Sequence, residues 1–404
     1  IQNTLLAKAC VQYLRLPQIW NKSPDDSLSI GVSLRDYAAT TLHQHINSGL
    51  NDNKELMSLL VQFFNKENPV WNTWRAFIET KIRTNAEAET VPPSPLYYAV
   101  KMKLEGLAKA LIVEQNVNEP SSLGRTPLGI ACANGFNDLV ALLLSKGANF
   151  CTTYKKQTPL FAASSNGHTG VVELLLYAGA DETIGDENGR TPFYIASCNG
   201  HTRVVELFLH READFTTQSN NGWTPLNAAS SNGHAEVVKV LLGKGADFTT
   251  QTNDGWTPLH VASDRGHVDV VELLLRAPHF SKPEADTLGR TALFLASRSG
   301  QVDVVQYLLS LKRFDPDTKN YYGSTALSTA VANGHCKVVE LLIAAGVNAQ
   351  DQLHVGRSLL WWASHAGKPQ MIKLLSHPME LGETFSQADK AVTAFDTTAA
   401  WCDA

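Results

Sequence analysis

One short sequence motif recurs along most of the chain at intervals of about 33 residues. Its two clearest copies, at residues 222–226 and 255–259, both read Gly-Trp-Thr-Pro-Leu. Each is followed by Gly-His and by an apolar run that contains Leu-Leu. A regular period of this length is typical of stacked copies of one small structural unit. Such a fold grows by adding units, so the 404 residues need no common central core.

Each copy of the motif and the residues after it contain the signals that start and end two helices. Thr224 can cap a helix with its hydroxyl, and Pro225 suits the first helical position, where no backbone N–H is needed. Gly233 ends this short helix, and the apolar residues of 237–242 give a second helix one apolar face. Turn-forming residues at 253–255 favour a hairpin before the next Thr-Pro pair. The predicted unit is therefore helix, turn, helix and hairpin.

This pattern resembles the ankyrin repeat, in which Gly-x-Thr-Pro-Leu-His is followed by Ala, Gly-His, Val-x-x-Leu-Leu and Gly-Ala-Asp. Five copies keep the Thr-Pro pair, and they begin at Thr126, Thr158, Thr191, Thr224 and Thr257. Weaker copies begin at Thr291, Thr325 and Ser358, and Ser94-Pro95-Leu96 resembles a degenerate first copy. The resemblance covers about three quarters of the chain and implies an all-α solenoid of about eight to nine units.

The repeats divide the chain into three expected parts. Residues 1–90 carry no repeat and are predicted to be helical, residues 91–378 form the repeats, and residues 379–404 form a C-terminal tail. Prolines near residue 92 mark the first junction, because proline disfavours the continuation of a helix. The N-terminal helices are expected to act as a capping domain, covering the apolar end of the first repeat.

Within the N-terminal part, the spacing of apolar residues predicts helices that begin at Ser33, near Lys54 and near Pro69. Residues 9–14 and 34–45 also resemble the winged-helix region that follows the nucleotide-binding domain in fungal NACHT–ankyrin proteins of the NOD-like receptor type. This second resemblance implies that the chain is the sensing part of a longer receptor. The ATPase of that receptor would lie before the first residue of this chain.

Composition narrows the classes of partner. The formal charge is −5, from 34 basic and 39 acidic residues, and neither sign forms a long run. This pattern argues against a nucleic-acid-binding or membrane-surface protein. Six scattered cysteines without a Cys-x-x-Cys pair are typical of a reducing compartment. With no signal peptide and no apolar run of ~20 residues, we expect a protein of the cytoplasm.

The sequence contains none of the common local enzyme motifs. It lacks the Gly-x-x-x-x-Gly-Lys phosphate loop, Gly-x-Gly-x-x-Gly after a strand, His-Glu-x-x-His and Gly-x-Ser-x-Gly, and it predicts no cofactor. Catalysis by residues that are distant in sequence stays open, because acid–base chemistry needs only well-placed side chains. Two such sets are His260 with Asp264, and His354 and His365 with Asp351.

Histidine occupies two recurrent positions of the repeat. The residues that follow the helix-ending glycine are His168, His201, His234, His267 and His335. Metal ligands must converge, whereas these are spread at one per unit, so they are predicted to be structural and no metal site is expected. The family also prefers histidine after Thr-Pro-Leu, but only His260 keeps it. The other copies hold Gly129, Phe161, Tyr194, Asn227, Phe294, Ser328 and Trp361. Aromatic packing is therefore expected to replace some hydrogen bonds between repeats.

The resemblance implies that partners bind in a concave groove formed by the hairpin tips and the first helices. The residue before each Thr-Pro pair would face that groove. Tryptophan and arginine are among the residues that most often dominate interface energy. The predicted partner-binding residues are Trp223, Trp256, Arg190, Arg290, Asn221, Asp254, Arg265, Tyr154 and Tyr322. A protein segment with an apolar anchor and nearby acidic residues would suit this surface.

Two functions remain open from the sequence. The first is an interaction scaffold that binds a protein partner in the groove, with no nucleic-acid or membrane partner expected. The second is an enzyme that acts on a small apolar molecule. Its pocket would lie where the N-terminal helices meet the first repeats, or at the irregular connections 276–283 and 311–316.

Overall fold

The computed structural model describes most of the chain. The described residues are 2–20, 30–49, 53–82, 93–113, 115–121, 123–154, 156–277, 285–347, 349, 353–354, 356–365, 367 and 369–376. Within them lie twenty-two α-helices and almost no strand, which confirms the predicted all-α repeat fold. The expected boundary at residue 90 and the expected tail, 379–404, lie outside the described residues. The chain divides after Glu187 into two compact units.

The first unit begins with four helices that lie outside the repeats. They are α1 (Gln2–Leu14), α2 (Ile30–Gly49), α3 (Lys54–Phe63) and α4 (Pro69–Ile82), and a 3-10 turn at Pro17–Ile19 follows α1. Helices α3 and α4 begin where the sequence predicts them. Asn53 caps α3 by accepting a hydrogen bond from the Leu56 N–H at 2.9 Å. Helix α2 begins before Ser33, its predicted start, because no proline between Ile30 and Ser33 stops the helix.

A buried aromatic cluster joins these helices to the first repeat. Phe63, Phe64, Trp71 and Trp74 are almost fully buried, and the ring centroids of Phe64 and Trp71 are 4.5 Å apart. Trp71 also meets Tyr98 of the first repeat edge-on, with ring centroids 5.6 Å apart. Such aromatic pairs add about 0.5–1.5 kcal/mol beyond the burial of their area. The N-terminal helices therefore cap the first repeat, as the sequence predicts.

Each repeat contains a pair of short helices. In the first unit the pairs are α5 (Pro95–Lys101) with α6 (Glu105–Leu111), α7 (Pro127–Asn134) with α8 (Asn137–Ser145), and α9 (Pro159–Ser165) with α10 (Thr169–Tyr177). In the second unit they are α11 (Pro192–Cys198) with α12 (Thr202–His210), α13 (Pro225–Ser231) with α14 (Ala235–Gly243), α15 (Pro258–Arg265) with α16 (Val268–Leu275), α17 (Ala292–Arg298) with α18 (Val302–Ser310), α19 (Ala326–Ala332) with α20 (Cys336–Ala344), and α21 (Leu359–His365) with α22 (Pro369–Ser376). A hairpin of β1 (Leu353–His354) and β2 (Arg357–Ser358) precedes α21. Every predicted start, including the weaker ones, is followed directly by a helix.

Hydrogen bonds at the capping residue begin the first helix of the repeats. The Thr126 hydroxyl accepts from the Gly129 N–H at 3.1 Å, as the sequence predicts for a capping threonine. In α15, His260 Nδ1 accepts from the Thr257 N–H at 3.1 Å. Asn227 accepts from the N–H of its own capping threonine at the same distance, 3.1 Å. The hydrogen bond between His260 and its capping threonine therefore lies within one repeat, and Asn227 preserves it.

Two sets of hydrogen bonds tie neighbouring repeats together. In the first set, a histidine that follows a helix-ending glycine reaches back to the preceding repeat, as where His234 Nε2 lies 3.0 Å from the Cys198 carbonyl oxygen. Equivalent bonds of 2.9–3.0 Å join His168 to Ala133, His267 to Ser231 and His335 to Arg298. In the second set, successive loops pair, as where the Asn253 N–H donates to the Asn221 carbonyl at 3.1 Å. These histidines are therefore structural, as predicted.

The helix-ending glycines leave the space that these histidines occupy. Gly233 has a φ of +73°, in the left-handed region that side chains rarely adopt. A Cβ at this position would lie 2.6 Å from His267 Nδ1. Gly243, the last residue of α14, is exposed, and a Cβ there would meet no atom within 4 Å. The two glycines are ten positions apart in one repeat, but a side chain is disfavoured at Gly233 and tolerated at Gly243.

The substitutions Gly233→Ala and Gly243→Ala are expected to have different effects on stability, and only Gly233→Ala should lower it. Gly233→Ala should lower the free energy of unfolding by about 1–3 kcal/mol, because it strains the left-handed backbone and crowds His267. Gly243→Ala should leave stability unchanged or raise it by up to about 1 kcal/mol, since alanine favours the helix. Urea denaturation followed by circular dichroism measures both. Equal effects of the two substitutions would contradict this account of the glycine.

Candidate functional site

The loops of the second unit hold two tryptophans in equivalent backbone positions. The Thr252 N–H donates to the Trp256 carbonyl at 2.9 Å, and the Trp256 N–H donates to the Thr252 hydroxyl at 3.1 Å. Ser219 and Trp223 form the same two bonds at 2.9 and 3.2 Å. Both tryptophan side chains are half-buried. Each loop is thus closed immediately before its capping threonine, which fixes where the indole leaves the backbone.

Two arginines of the next repeat lie against the Trp256 ring. The guanidinium carbon of Arg290 is 5.5 Å from the ring centroid, and that of Arg298 is 5.8 Å from it. Cation–π contacts of this kind contribute about 0.5–1 kcal/mol at exposed sites and more when they are desolvated. The indole Nε1 is enclosed and has no hydrogen-bond partner among the described residues. The structure therefore brings together two of the predicted residues, Trp256 and Arg290.

Aspartates hold both arginines in place. Asp286 has a fully buried side chain and accepts from Arg290 Nε at 2.7 Å, and its other oxygen accepts the Arg290 N–H at 2.8 Å. Asp264 accepts from Arg298 Nη2 at 2.8 Å and from the Ser299 hydroxyl at 2.6 Å. Arg290 is therefore fixed inside the protein rather than available as a free charge. Asp286 is absent from the predicted site, although an opposite charge four residues before Arg290 is a signal for this ion pair.

Trp223 has different surroundings from Trp256. Within the described part of the chain, its ring stacks on no other aromatic ring and lies under no cation. Of the two predicted tryptophans, only Trp256 therefore has arginines of the described residues against its ring. The difference follows from the next repeat, because Trp256 itself and Asp264 stand where Arg290 and Arg298 stand one repeat later.

The other predicted residues of the second unit are spread around the two tryptophans. Asn221 and Asp254 are exposed in the loops, where their carbonyls accept from the Asn253 N–H at 3.1 Å and from the Thr287 hydroxyl at 2.8 Å. The remaining three predicted residues are Arg190, partly buried before α11, Arg265, exposed at the end of α15, and Tyr322, 71% exposed in the loop before α19. Their positions at loop and helix ends leave them accessible to a partner.

Tyr154, the last predicted residue, belongs to the first unit and has its own arginine. Its hydroxyl accepts from Arg125 Nη2 at 2.8 Å, and its ring centroid lies 4.1 Å from the guanidinium carbon. The pair is formed by a residue before one capping threonine and a residue in the next loop. Tyr154 is thus part of a separate feature of the first unit.

The side-chain sets considered for catalysis are engaged in other contacts. His260 is 1% exposed and bonds to Thr257, whereas Asp264 bonds to Arg298 and Ser299. Asp351 and the side chain of His354 lie outside the described residues. The ring of His365 stacks on Trp361, with centroids 5.0 Å apart. In the part of the chain that the structure describes, no group of three His, Cys, Asp or Glu side chains could hold a metal ion.

None of the helices in the described ranges combines the length and the apolar character needed to cross a membrane.

The folded structure lowers the pKa of His234 in the second unit. Burial of its ring lowers the pKa of His234, against the opposing effect of its bond to the Cys198 carbonyl, and the neighbouring His201 and His267 lower it further. The folded protein therefore binds this proton less readily than the unfolded chain does. Stability from the neutral ring is present above the ordinary histidine pKa of about 6.5, and it is lost as the pH falls.

His234→Gln is expected to flatten the pH dependence of stability between about pH 7 and pH 5. Glutamine suits this position, because Gln301 stands at the equivalent place in a later repeat and donates to the Asp264 carbonyl at 3.0 Å. The free energy of unfolding, from urea denaturation at several pH values, should fall less steeply in the variant than in the wild type. His210→Gln removes an exposed imidazole and serves as the control. Identical profiles for His234→Gln and the wild type would contradict the assignment.

Comparison with known proteins identifies the repeat. The family model for ankyrin repeats (3 copies) matches residues 96–186, 179–252, 245–320 and 309–389. Together these matches extend from residue 96 to residue 389, which is well over half of the chain. The first match begins within α5, at the degenerate copy that the sequence suggests. No curated protein matches the chain.

Proposed function

Because the chain belongs to the ankyrin repeat family, whose repeats are generally protein–protein interaction modules, we propose that it is a scaffold that binds a segment of a partner protein. The proposed contact surface, called the tryptophan surface, consists of Asn221, Trp223, Asp254, Trp256 and Arg265. All five residues belong to the second unit and lie in loops or at a helix end.

The arrangement of Trp256 carries this proposal. Its half-buried ring has Arg290 and Arg298 within 5.5 and 5.8 Å, and an aspartate fixes each arginine. A side chain that is already immobilised loses little conformational entropy when a partner binds. Tryptophan is also enriched among the residues that contribute most to binding energy. The structure thus offers a rigid aromatic anchor that is still accessible on one part of its surface.

The charges around Trp256 refine the expected partner. The two arginines against the ring are compensated by Asp286 and Asp264, so they attract an acidic partner less than the sequence suggests. Arg265 is exposed and forms no ion pair with a described residue. An apolar side chain of the partner is therefore the main requirement, with one acidic group near Arg265 as an addition.

We further propose that this module is the sensing part of a NOD-like receptor. The support is the resemblance of residues 9–14 and 34–45 to the region that precedes the repeats in such proteins. The packing of Trp71 on Tyr98 adds a firm joint between the N-terminal helices and the first repeat. Sequencing of the transcript upstream of Ile1 tests this role. A phosphate-loop motif in the same reading frame is expected, and a start codon without that motif rejects the receptor.

The double substitution Trp223→Ala, Trp256→Ala is expected to weaken partner capture at least about tenfold, since truncating such anchors costs about 2 kcal/mol or more. Partners are first identified by mass spectrometry of proteins that the wild-type chain retains from its native extract. Surface plasmon resonance then gives the affinity of each partner for the wild type and the variant.

Two controls accompany this experiment. Tyr177→Ala removes an aromatic side chain that is 91% exposed at the end of α10, and it should leave the affinity unchanged. Thermal unfolding followed by circular dichroism shows whether the double variant keeps its helices. A folded double variant that binds every partner as tightly as the wild type would rule out the tryptophan surface.

A further inference from the structure

The first unit contains a pocket of about 390 Å³ that the predicted site does not include. Helices α7 and α9 contribute Gly129 and Ala162 to its lining, and the adjoining loops contribute Arg125 and Tyr154. Its volume lies within the range of about 300–1,000 Å³ that is usual for ligand pockets. Its described lining residues all belong to the regular repeats, whereas the enzyme pocket considered from the sequence would lie at the junction with the N-terminal helices or at the irregular connections 276–283 and 311–316.

Two small residues account for the pocket. Gly129 follows Thr-Pro-Leu in one repeat, and Ala162 stands one position further along in the next repeat. In the second unit the equivalent pairs are Tyr194 with Ala228, Asn227 with Val261, His260 with Leu295, and Phe294 with Thr329. Each of those pairs contains at least one side chain that is larger than those of Gly129 and Ala162. Among the described repeats, only this one therefore has a glycine at the position after Thr-Pro-Leu.

The described lining residues include two cations, Lys101 and Arg125, and no Asp or Glu. Lys101 Nζ lies 5.6 and 5.7 Å from the ring centroids of Tyr97 and Tyr98. Lys101 makes no ion pair with a described residue. Arg125 lies against the Tyr154 ring and donates to its hydroxyl, which fixes the plane of the guanidinium. The pocket thus combines two positive charges with a lining surface that is mostly apolar and includes one aromatic ring, that of Tyr154.

We infer that this pocket binds an acidic peptide segment. An apolar side chain of the segment enters beside Gly129, and an adjacent Asp or Glu carboxylate pairs with Lys101 and Arg125. Charge complementarity carries the acidic part of this inference, because the exposed Lys101 makes no ion pair with a described residue and the described lining residues include no Asp or Glu. Ion pairs between a carboxylate and such cations are also stronger than neutral hydrogen bonds.

A peptide is the occupant because of where the pocket lies. Arg125 and Gln157, the residues before two successive capping threonines, both line it. A segment that crosses successive loops would therefore pass over its mouth and place one side chain inside. The inference rests on the proposed role of the chain as an interaction module. It does not depend on the tryptophan surface, which belongs to the second unit.

Gly129→Phe is the variant that tests the pocket. Gly129 has an ordinary helical backbone, and a Cβ there would lie 3.4 Å from the Thr126 hydroxyl, a normal contact. The chain already carries phenylalanine at the equivalent positions Phe161 and Phe294, where the capping bonds are intact at 3.1 and 3.2 Å. The variant is therefore expected to fold while its new ring fills the pocket. Gly129→Ala adds only a methyl group and is the matched control.

The experiment selects short random peptides displayed on phage against the full wild-type chain, with Gly129→Phe as the counter-target. Peptides that bind only the wild type are expected to carry an apolar residue next to Asp or Glu. Fluorescence polarisation of the synthetic peptides should show at least about a tenfold loss of affinity in Gly129→Phe and little change in Gly129→Ala. Lys101→Gln should weaken the same peptides, and added salt should weaken them further.

The outcomes separate this inference from the tryptophan surface. Pocket peptides should bind the Trp223→Ala, Trp256→Ala variant as tightly as the wild type. Peptides that lose affinity in the tryptophan variant but not in folded Gly129→Phe would support the proposed function and overturn the pocket. A selection that yields no peptide sensitive to Gly129→Phe, or one enriched in Lys and Arg, would also overturn it. Circular dichroism of each variant shows whether the chain has folded.

Discussion

Each repeat can bury its apolar residues only against the repeats beside it. Its helices are short, and isolated helices of fewer than about 12–15 residues are marginal in water. The second helix of a typical repeat contributes Val238 and Leu241, both completely buried. The bond from His234 to the Cys198 carbonyl then fixes how far one repeat is rotated against the next. The glycines follow from this contact, because the histidine occupies the space where a side chain would be.

Only some positions of each repeat are needed for helix capping and stacking, and the other positions can vary and serve a function. The capping threonine is needed to begin a helix, and the helix-ending glycine and the following histidine are needed for stacking, so these residues differ little between repeats. The residue before the threonine and the residue after Thr-Pro-Leu are less constrained. Substitution at the first type of position produces the indole of Trp256, and substitution at the second type produces the recess at Gly129. One fold thereby carries an aromatic anchor in its second unit and a cationic pocket in its first.

The charged groups around Trp256 differ from those around the pocket at Gly129. Around Trp256 the guanidinium groups of Arg290 and Arg298 are paired with aspartates, so their main effect is to immobilise the ring. In the pocket Arg125 is oriented by the neutral hydroxyl of Tyr154, and the described lining residues include no Asp or Glu. We therefore propose that electrostatics contribute mainly rigidity to the tryptophan surface and mainly selectivity to the pocket.

The sequence by itself determined the repeat, its helix starts and its helix ends. These depend on local signals, such as the hydroxyl of Thr126 or the left-handed backbone of Gly233, which act within a few residues of chain. Only the tertiary structure decided that Arg290 and Arg298 reach Trp256 and that Gly129 lines a pocket. Those outcomes depend on which side chains two stacked repeats bring within contact, and a period along the sequence specifies neither their distances nor their orientations.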